Sequence, residues 1–259
     1  MKILIAGNGF IGRKIAEKLR SSHEIKTLDR SEDSTFQQDI TEEFQIEEKF
    51  DVVFHTIGLA PGMNSREKYE QVHVEGTKNL LEGFESDKIV YLSALKAGEV
   101  EHSFFQTKKE SEELIKNSGR NFTVVRPSTV YGRGNKLLEL IRKSAPTMVF
   151  PNIRTETQPI HIEDLTEILA RSVEEFDNET LQVAGPEKMT VGELGKKIYR
   201  KRGFPCILLP VPDAVQRTGL KVLDPLPGPF NKENIELLEH QNIPGINDAE
   251  EILGELKEI

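Results

Sequence analysis

Gly7-Asn8-Gly9-Phe10-Ile11-Gly12 is the first stretch of this chain whose residue types and spacing define a chemistry. A G-x-G-x-x-G run carries meaning when an apolar strand leads into it and an amphipathic helix leaves it. Both conditions hold. Ile3-Leu4-Ile5-Ala6 is a short apolar run, and Ile15, Ala16 and Leu19 recur at helical spacing after Gly12. The first glycine permits a tight turn, the second lets backbone approach a pyrophosphate, and the third lets helix pack closely on strand. The helix N-terminus then offers free N–H groups and the positive end of its dipole to phosphate. All six residues are expected to contact a nicotinamide dinucleotide; a purely structural glycine turn is the alternative.

Asp29 closes the next apolar run, near the distance of about 20 residues at which an acidic side chain meets the adenosine ribose. That position favours NAD. Arg30 follows at once and would suit the 2′-phosphate of NADP. A carboxylate aimed at the ribose repels that phosphate, so NAD is the favoured cofactor of the two. Asp39 and Ile40 are candidates for the adenine edge, with an ordinary turn as the alternative.

The elements that must position these residues alternate. Strands are expected over residues 25–28, 51–56, 88–92 and 122–125, and helices over 69–84 and 103–117, with Val72, Leu80 and Leu81 buried in the first of these helices. That alternation signals an α/β fold: a Rossmann-type doubly wound parallel sheet with a small C-terminal substrate lobe. Proline becomes frequent after residue 127. The division expected is a dinucleotide-binding domain over 1–127 and a smaller lobe over 128–259, with segments near 155–185 returning to the sheet. Further helices are expected over 164–173, 190–202 and 232–240, and an extended loop over 225–229.

Composition narrows the function. The net charge of −9 argues against nucleic acid, which needs a basic face. Cys206 is the one cysteine, so no internal disulfide forms and a reducing compartment fits. The six histidines form no HExxH, and no metal is expected. No apolar run reaches the roughly 18–20 residues of a membrane span, and the protein is expected to be cytoplasmic. The expected partner is a small-molecule substrate, unnamed by the sequence.

Several separated segments together resemble the extended and atypical short-chain dehydrogenase/reductase superfamily, of the NAD-dependent epimerase/dehydratase type. They are the glycine loop, Phe54-His55-Thr56-Ile57-Gly58, Val72-His73-Val74-Glu75-Gly76-Thr77, Val90-Tyr91-Leu92-Ser93, Val125-Arg126-Pro127-Ser128-Thr129-Val130-Tyr131-Gly132, Ile160-His161-Ile162-Glu163-Asp164-Leu165, and Val183-Ala184-Gly185-Pro186-Glu187 with Thr190. The tail, Pro227-Gly228-Pro229-Phe230-Asn231-Lys232-Glu233-Asn234, then Leu237-Leu238 and Gln241-Asn242, resembles the branch of the accessory 39-kDa subunit of respiratory complex I and its prokaryotic relatives. The resemblance implies cofactor contacts at Thr56, Ile57 and Gly58 and at Pro127 and Val130.

It also implies a catalytic Tyr-x-x-x-Lys pair with a nearby hydroxyl. Here Thr107-Lys108 followed by Glu112 is similar to the family's SKxxxE, which sets Lys108 at the lysine and Phe104 at the tyrosine. Phenylalanine has no proton to give. Lys108 retains a binding role at the nicotinamide ribose, Ser93 is the candidate hydroxyl, and His73 stands where asparagine is usual and is a candidate substitute acid. His55 reads as a core histidine, His161 and Asp164 as a helix cap, and residues 196–202 as a solvated basic face. Two classes follow. One is an NAD(P)-dependent oxidoreductase or epimerase/dehydratase acting on a small polar or nucleotide-sugar substrate. The other is a catalytically silent cofactor-binding sensor or assembly protein.

Overall fold

A computed structural model describes residues 1–61, 64–210 and 240–259. Its centre is a seven-stranded parallel sheet. The strands are β1 (Lys2–Ala6), β2 (Glu24–Asp29), β3 (Phe36–Gln37), β4 (Lys49–His55), β5 (Glu85–Leu92), β6 (Asn121–Pro127) and, returning late in the chain, Glu179–Val183. From one edge the order is Glu179–Val183, β6, β5, β4, β1, β2, β3. The chain therefore runs outward from β1 in one direction and then restarts at β4 on the other side. That reversal leaves a crevice at the carboxyl ends of β1 and β4, where ligands of such sheets bind.

The sheet is covered on both faces because its strands are apolar on both. Ile3 and Ile5 of β1 enter one core with Ile15, Ala16 and Leu19 of helix α1 (Phe10–Leu19). Leu4 and Ala6 alternate into the other core with Leu80 and Ile115. Leu80 lies on a helical stretch with three parts: α2 (Arg66–Tyr69), a π-helical segment (Glu70–Glu75) and α3 (Gly76–Glu82). The helix expected over 69–84 thus starts earlier and stops two residues sooner, and Leu81 is half-buried rather than buried. Ile115 belongs to α4 (Ser103–Lys116).

Beyond β6, short strands and helices build the rest. They are β7 (Val130–Tyr131), α5 (Lys136–Ser144), β8 (Val149–Asn152), β9 (Glu156–Thr157), β10 (Ile160–His161), α6 (Ile162–Arg171), β11 (Glu179–Val183, the late strand above), β12 (Met189–Thr190), α7 (Val191–Lys201) and β13 (Ile207–Pro210). α6 packs on the α1 face of the sheet, while Phe150 and Tyr199 centre a separate small core. Helix α7 opens on a capping box, in which Thr190 and Glu193 satisfy each other's backbone N–H groups. His161 caps α6 by accepting from the Glu163 amide. α5 and the pair β8–β13 were not expected from the sequence.

The last helix, α8 (Asp248–Leu253), returns to the sheet. Asn247 Oδ1 accepts from the Ala184 amide at 2.9 Å and Asp248 Oδ2 from the Gln182 amide at 2.6 Å. Two side chains thereby cover N–H groups at the outer edge of β11, which would otherwise invite another strand. The expected loop over 225–229, the segments of the tail resemblance up to Leu238, and all but His240 of the expected helix over 232–240 lie outside the described residues.

Candidate functional site

The glycine loop sits at the crevice. Gly7 holds φ at +110°, and its amide donates to the Leu28 carbonyl at 2.8 Å. A Cβ on Gly12 would lie 1.8 Å from the Gly7 carbonyl oxygen, so α1 approaches β1 as closely as only glycine permits. Thr56, past the end of β4, donates its hydroxyl to the carbonyls of Ala6 and Gly7 and so ties the two strand ends together. Gly9 is exposed, and a Cβ there would meet nothing within 4 Å. Helix α1 has no side-chain cap and no acidic residue in its first turn. Open space over a glycine, the donor N–H groups of an uncapped helix N-terminus and a neighbouring acceptor carboxylate together fit a dinucleotide pyrophosphate and ribose.

That carboxylate is Asp29. Its Oδ2 accepts from the Asn8 amide at 2.8 Å and its Oδ1 from the Ser31 amide at 3.3 Å. Arg30 points to solvent, with its guanidinium 3.8 Å from Asp39. Asp39 Oδ1 accepts from the Thr41 amide and hydroxyl, and these bonds hold its carboxyl below the usual range. Asp39 therefore braces a turn. Ile40 packs in the second core, where a Cβ on Gly76 would lie 3.1 Å from it. On the far side of the loop, the Phe10 ring lies 3.1 Å from where Gly134 would carry a Cβ.

The half of the crevice away from Asp29 holds Lys108. Its Nζ is buried, donates to the Leu92 carbonyl at 2.9 Å and lies 4.8 Å from the centre of the Tyr91 ring. A Cβ on Gly58 would be 3.0 Å from that Nζ. Sequence-distant Gly58 and Lys108 thus meet at one point. Burial brings the Lys108 ammonium down to about 7, against the opposing pull of Glu112. Phe104, one helical turn earlier on α4, is buried edge-on among Tyr69, His73 and Phe105 at centroid distances of 5.7, 5.6 and 5.0 Å.

His73 and Ser93 are bound differently from expectation. The Leu59 amide donates to His73 Nε2 at 3.1 Å, so that nitrogen is bare. The ring proton is then on Nδ1 and goes to Thr107 Oγ1 at 2.9 Å, whose own hydroxyl reaches the Ser103 carbonyl. Burial and the Lys108 charge hold the imidazolium form down at about 2. The ring is neutral, and its single N–H is committed to protein; it pins the turn after β4 to α4 and has no acid to supply. Ser93 Oγ donates to Glu112 Oε1 at 2.6 Å. Its hydrogen points into the protein, away from the role of a substrate-facing donor.

Glu112, which in sequence is only the last residue of the SKxxxE-like motif, organises this region. It is fully buried and receives Arg126 in a two-pronged pair, Nε to Oε1 at 2.8 Å and Nη2 to Oε2 at 2.6 Å. Through it, α4 is fixed to the end of β6 and to residues 127–130. Pro127 ends β6 buried, and Val130 opens β7. Asn242 reaches the same loop: its backbone carbonyl accepts from Ser128 Oγ at 3.0 Å, and its side-chain Nδ2 donates to Thr129 Oγ1 at 3.0 Å. His55 is a core residue, bonded to Thr77, with burial holding it neutral.

A family model described as the NAD-dependent epimerase/dehydratase family matches residues 3–185. The mitochondrial 40 kDa subunit of NADH-ubiquinone oxidoreductase from Neurospora crassa is 26% identical in an alignment over 193 residues that covers 70% of this chain and 48% of that one. The chain thus spans about half the length of that curated relative. Among solved structures, UDP-glucose 4-epimerase from Thermotoga maritima superposes with a TM-score of 0.69 at 17% identity, covering 82% of this chain and 86% of that one. UDP-glucuronic acid 4-epimerase from Bacillus cereus, in complex with UDP-glucuronic acid and NAD, gives 0.68 at 17% over the same shares. MoeE5, in complex with UDP-glucuronic acid and NAD, gives 0.74 at 16% and covers 100% and 94%. These likenesses are likenesses of fold. No helix among the described residues is long and apolar enough to cross a membrane.

Proposed function

The chain belongs to the NAD-dependent epimerase/dehydratase family, and on that premise we propose that it binds NAD in the crevice without tyrosine-type turnover, as a sensor or assembly protein. The α1 N-terminus and the glycine loop hold the pyrophosphate, Asp29 the adenosine ribose, Lys108 the nicotinamide ribose, and residues 127–130 the carboxamide. When bound, the nicotinamide supplies a hydride donor or acceptor. What the chain does not supply at residue 104 is a phenol.

The observation that carries this reading is Phe104 in its aromatic niche, one turn before Lys108. Ser93 and His73, the candidate replacements for a phenol, are already committed, Ser93 to Glu112 and His73 to Thr107. A positioned acid/base group typically contributes about 10²–10⁴-fold in rate. The preference for NAD over NADP is supported by the Asp29 carboxylate at the loop. The acidic composition and single cysteine support a cytoplasmic place, while the Neurospora relative is named as mitochondrial.

The retained Lys108 supports a second reading: a slow oxidoreductase or epimerase/dehydratase on a small polar or nucleotide-sugar substrate that brings its own acid. The experiment that separates the two follows the nicotinamide absorbance of the loaded protein while cell metabolites are added. An unchanged redox state fits the binding protein. A cofactor that cycles fits the enzyme.

A further inference from the structure

We infer that Lys108 makes this site prefer the reduced dinucleotide to the oxidised one, by giving up its own proton when a positively charged nicotinamide arrives. The inference rests on the cofactor site proposed above and concerns what that site distinguishes.

The ammonium is enclosed without a counter-charge of its own. Its hydrogen-bond partner is a carbonyl, that of Leu92, and among the described residues Nζ makes no salt bridge. The groups that face it from each packed element are few. From β4 comes His55 and from the π-helical segment His73; burial and the Lys108 charge itself keep both imidazoles neutral. From β5 comes the ring face of Tyr91, whose phenol burial pushes up. On α4 itself, Glu112 attracts the ammonium at a distance, but its oxygens are held by Arg126 and Ser93. Lys109 and Lys116 also lean on Glu112 from the same helix. A buried ammonium in such a niche is costly to keep. Lys108 accordingly titrates near neutrality, where a modest change in its surroundings moves its proton.

Oxidised and reduced dinucleotide carry the same pyrophosphate and riboses and differ by one positive charge on the nicotinamide ring. That difference falls in the half of the crevice that holds Lys108 and Gly58. With the oxidised form, two like charges share the niche, and Lys108 releases one proton to the buffer as a neutral amine. With the reduced form, it keeps the proton. No electron moves. Below neutrality the oxidised form therefore binds at a disadvantage, which fades as pH rises and Lys108 is already deprotonated.

The test is calorimetric titration of the whole chain with NAD⁺ and with NADH, each in two buffers of different ionisation heat, across neutral pH. NAD⁺ binding should release up to about one proton more than NADH binding, and the ratio of Kd for NAD⁺ to Kd for NADH should fall by up to about tenfold per pH unit. Lys108→Met should equalise the proton counts and flatten the ratio. Lys108→Arg, a permanent cation, should keep the preference for NADH at every pH with no proton released. Equal proton release by the parent protein, with both forms bound, overturns the inference and leaves the cofactor site standing. Failure of the parent to bind either form overturns both. The parent proton count decides the matter even where a variant does not fold.

Discussion

Ser93 Oγ donates to Glu112 Oε1 across 2.6 Å, inside the protein, while Arg126 grips both oxygens of the same carboxylate. A family-position hydroxyl is here a component of a buried polar cluster. Removing the carboxylate strands a largely buried guanidinium, so Glu112→Ala should cost about 3–5 kcal/mol. Ser93→Ala removes one hydrogen bond and should cost about 1 kcal/mol. Denaturant unfolding of the two variants measures both. Equal costs would mean that the ion pair adds nothing to the hold on α4 beyond the Ser93 bond.

Two glycines of the loop should behave oppositely. Gly9 has open space above it and extended backbone, with φ at −85°. Gly9→Val should leave stability within about 0.5 kcal/mol of the parent and abolish binding of NAD(H) and NADP(H), because the side chain takes the pyrophosphate's place. Gly12→Ala drives a methyl against the Gly7 carbonyl and should lose more than about 4 kcal/mol or fail to fold. Unchanged calorimetric affinity in Gly9→Val would move the cofactor elsewhere.

Cofactor choice should follow Asp29. NADH should bind more tightly than NADPH, and Asp29→Ala should narrow the gap by removing the charge that repels a 2′-phosphate. Because Asp29 also accepts from the Asn8 amide, this variant should loosen binding of both cofactors as well. Tighter NADPH binding by the parent would put Arg30 in control.

Acid should destabilise the fold before its carboxylates titrate. His55 and His73 are neutral in the fold, held at about 3 and about 2, against 6.5 for an exposed imidazole. The unfolded chain therefore binds more protons between those limits, and stability falls as pH drops below about 6.5. Each histidine adds up to about 1.4 kcal/mol per pH unit to the slope. His55→Phe and His73→Phe should each make the curve of stability against pH shallower between about pH 4 and 6. A curve that keeps its slope in both variants would assign the acid sensitivity to other groups.

The glycine loop, Asp29 and the strand–helix alternation were legible because each depends on short-range spacing, which sequence displays directly. Lys108 and Phe104 were legible through register on one helix. What sequence hid was direction. The Ser93 hydroxyl could have pointed to the crevice; only the fold brings Glu112 of α4 behind it. His73 looked free to act until the π-helical segment carried it, so that Leu59 and Thr107 took its two nitrogens. The pairing of β8 with β13 and the covering of β11 by Asn247 and Asp248 join residues far apart in the chain, which local pattern cannot foresee. Ile40 had the sequence position of an adenine contact and the burial of a core residue.

The absence of an acid at residue 104 is tested most directly by supplying one. Phe104→Tyr adds a single hydroxyl one turn from Lys108. The measurement is the tyrosinate absorbance of this variant against pH, as a difference from the parent, with and without NAD. Burial pushes the phenols of Tyr91 and Tyr131 up and out of the working range. With NAD bound, the added phenol should titrate below its value without NAD, drawn down by the positive nicotinamide. A phenol that titrates at the same pH with and without NAD would show that residue 104 does not face the cofactor, and the assignment of the site would fail with it.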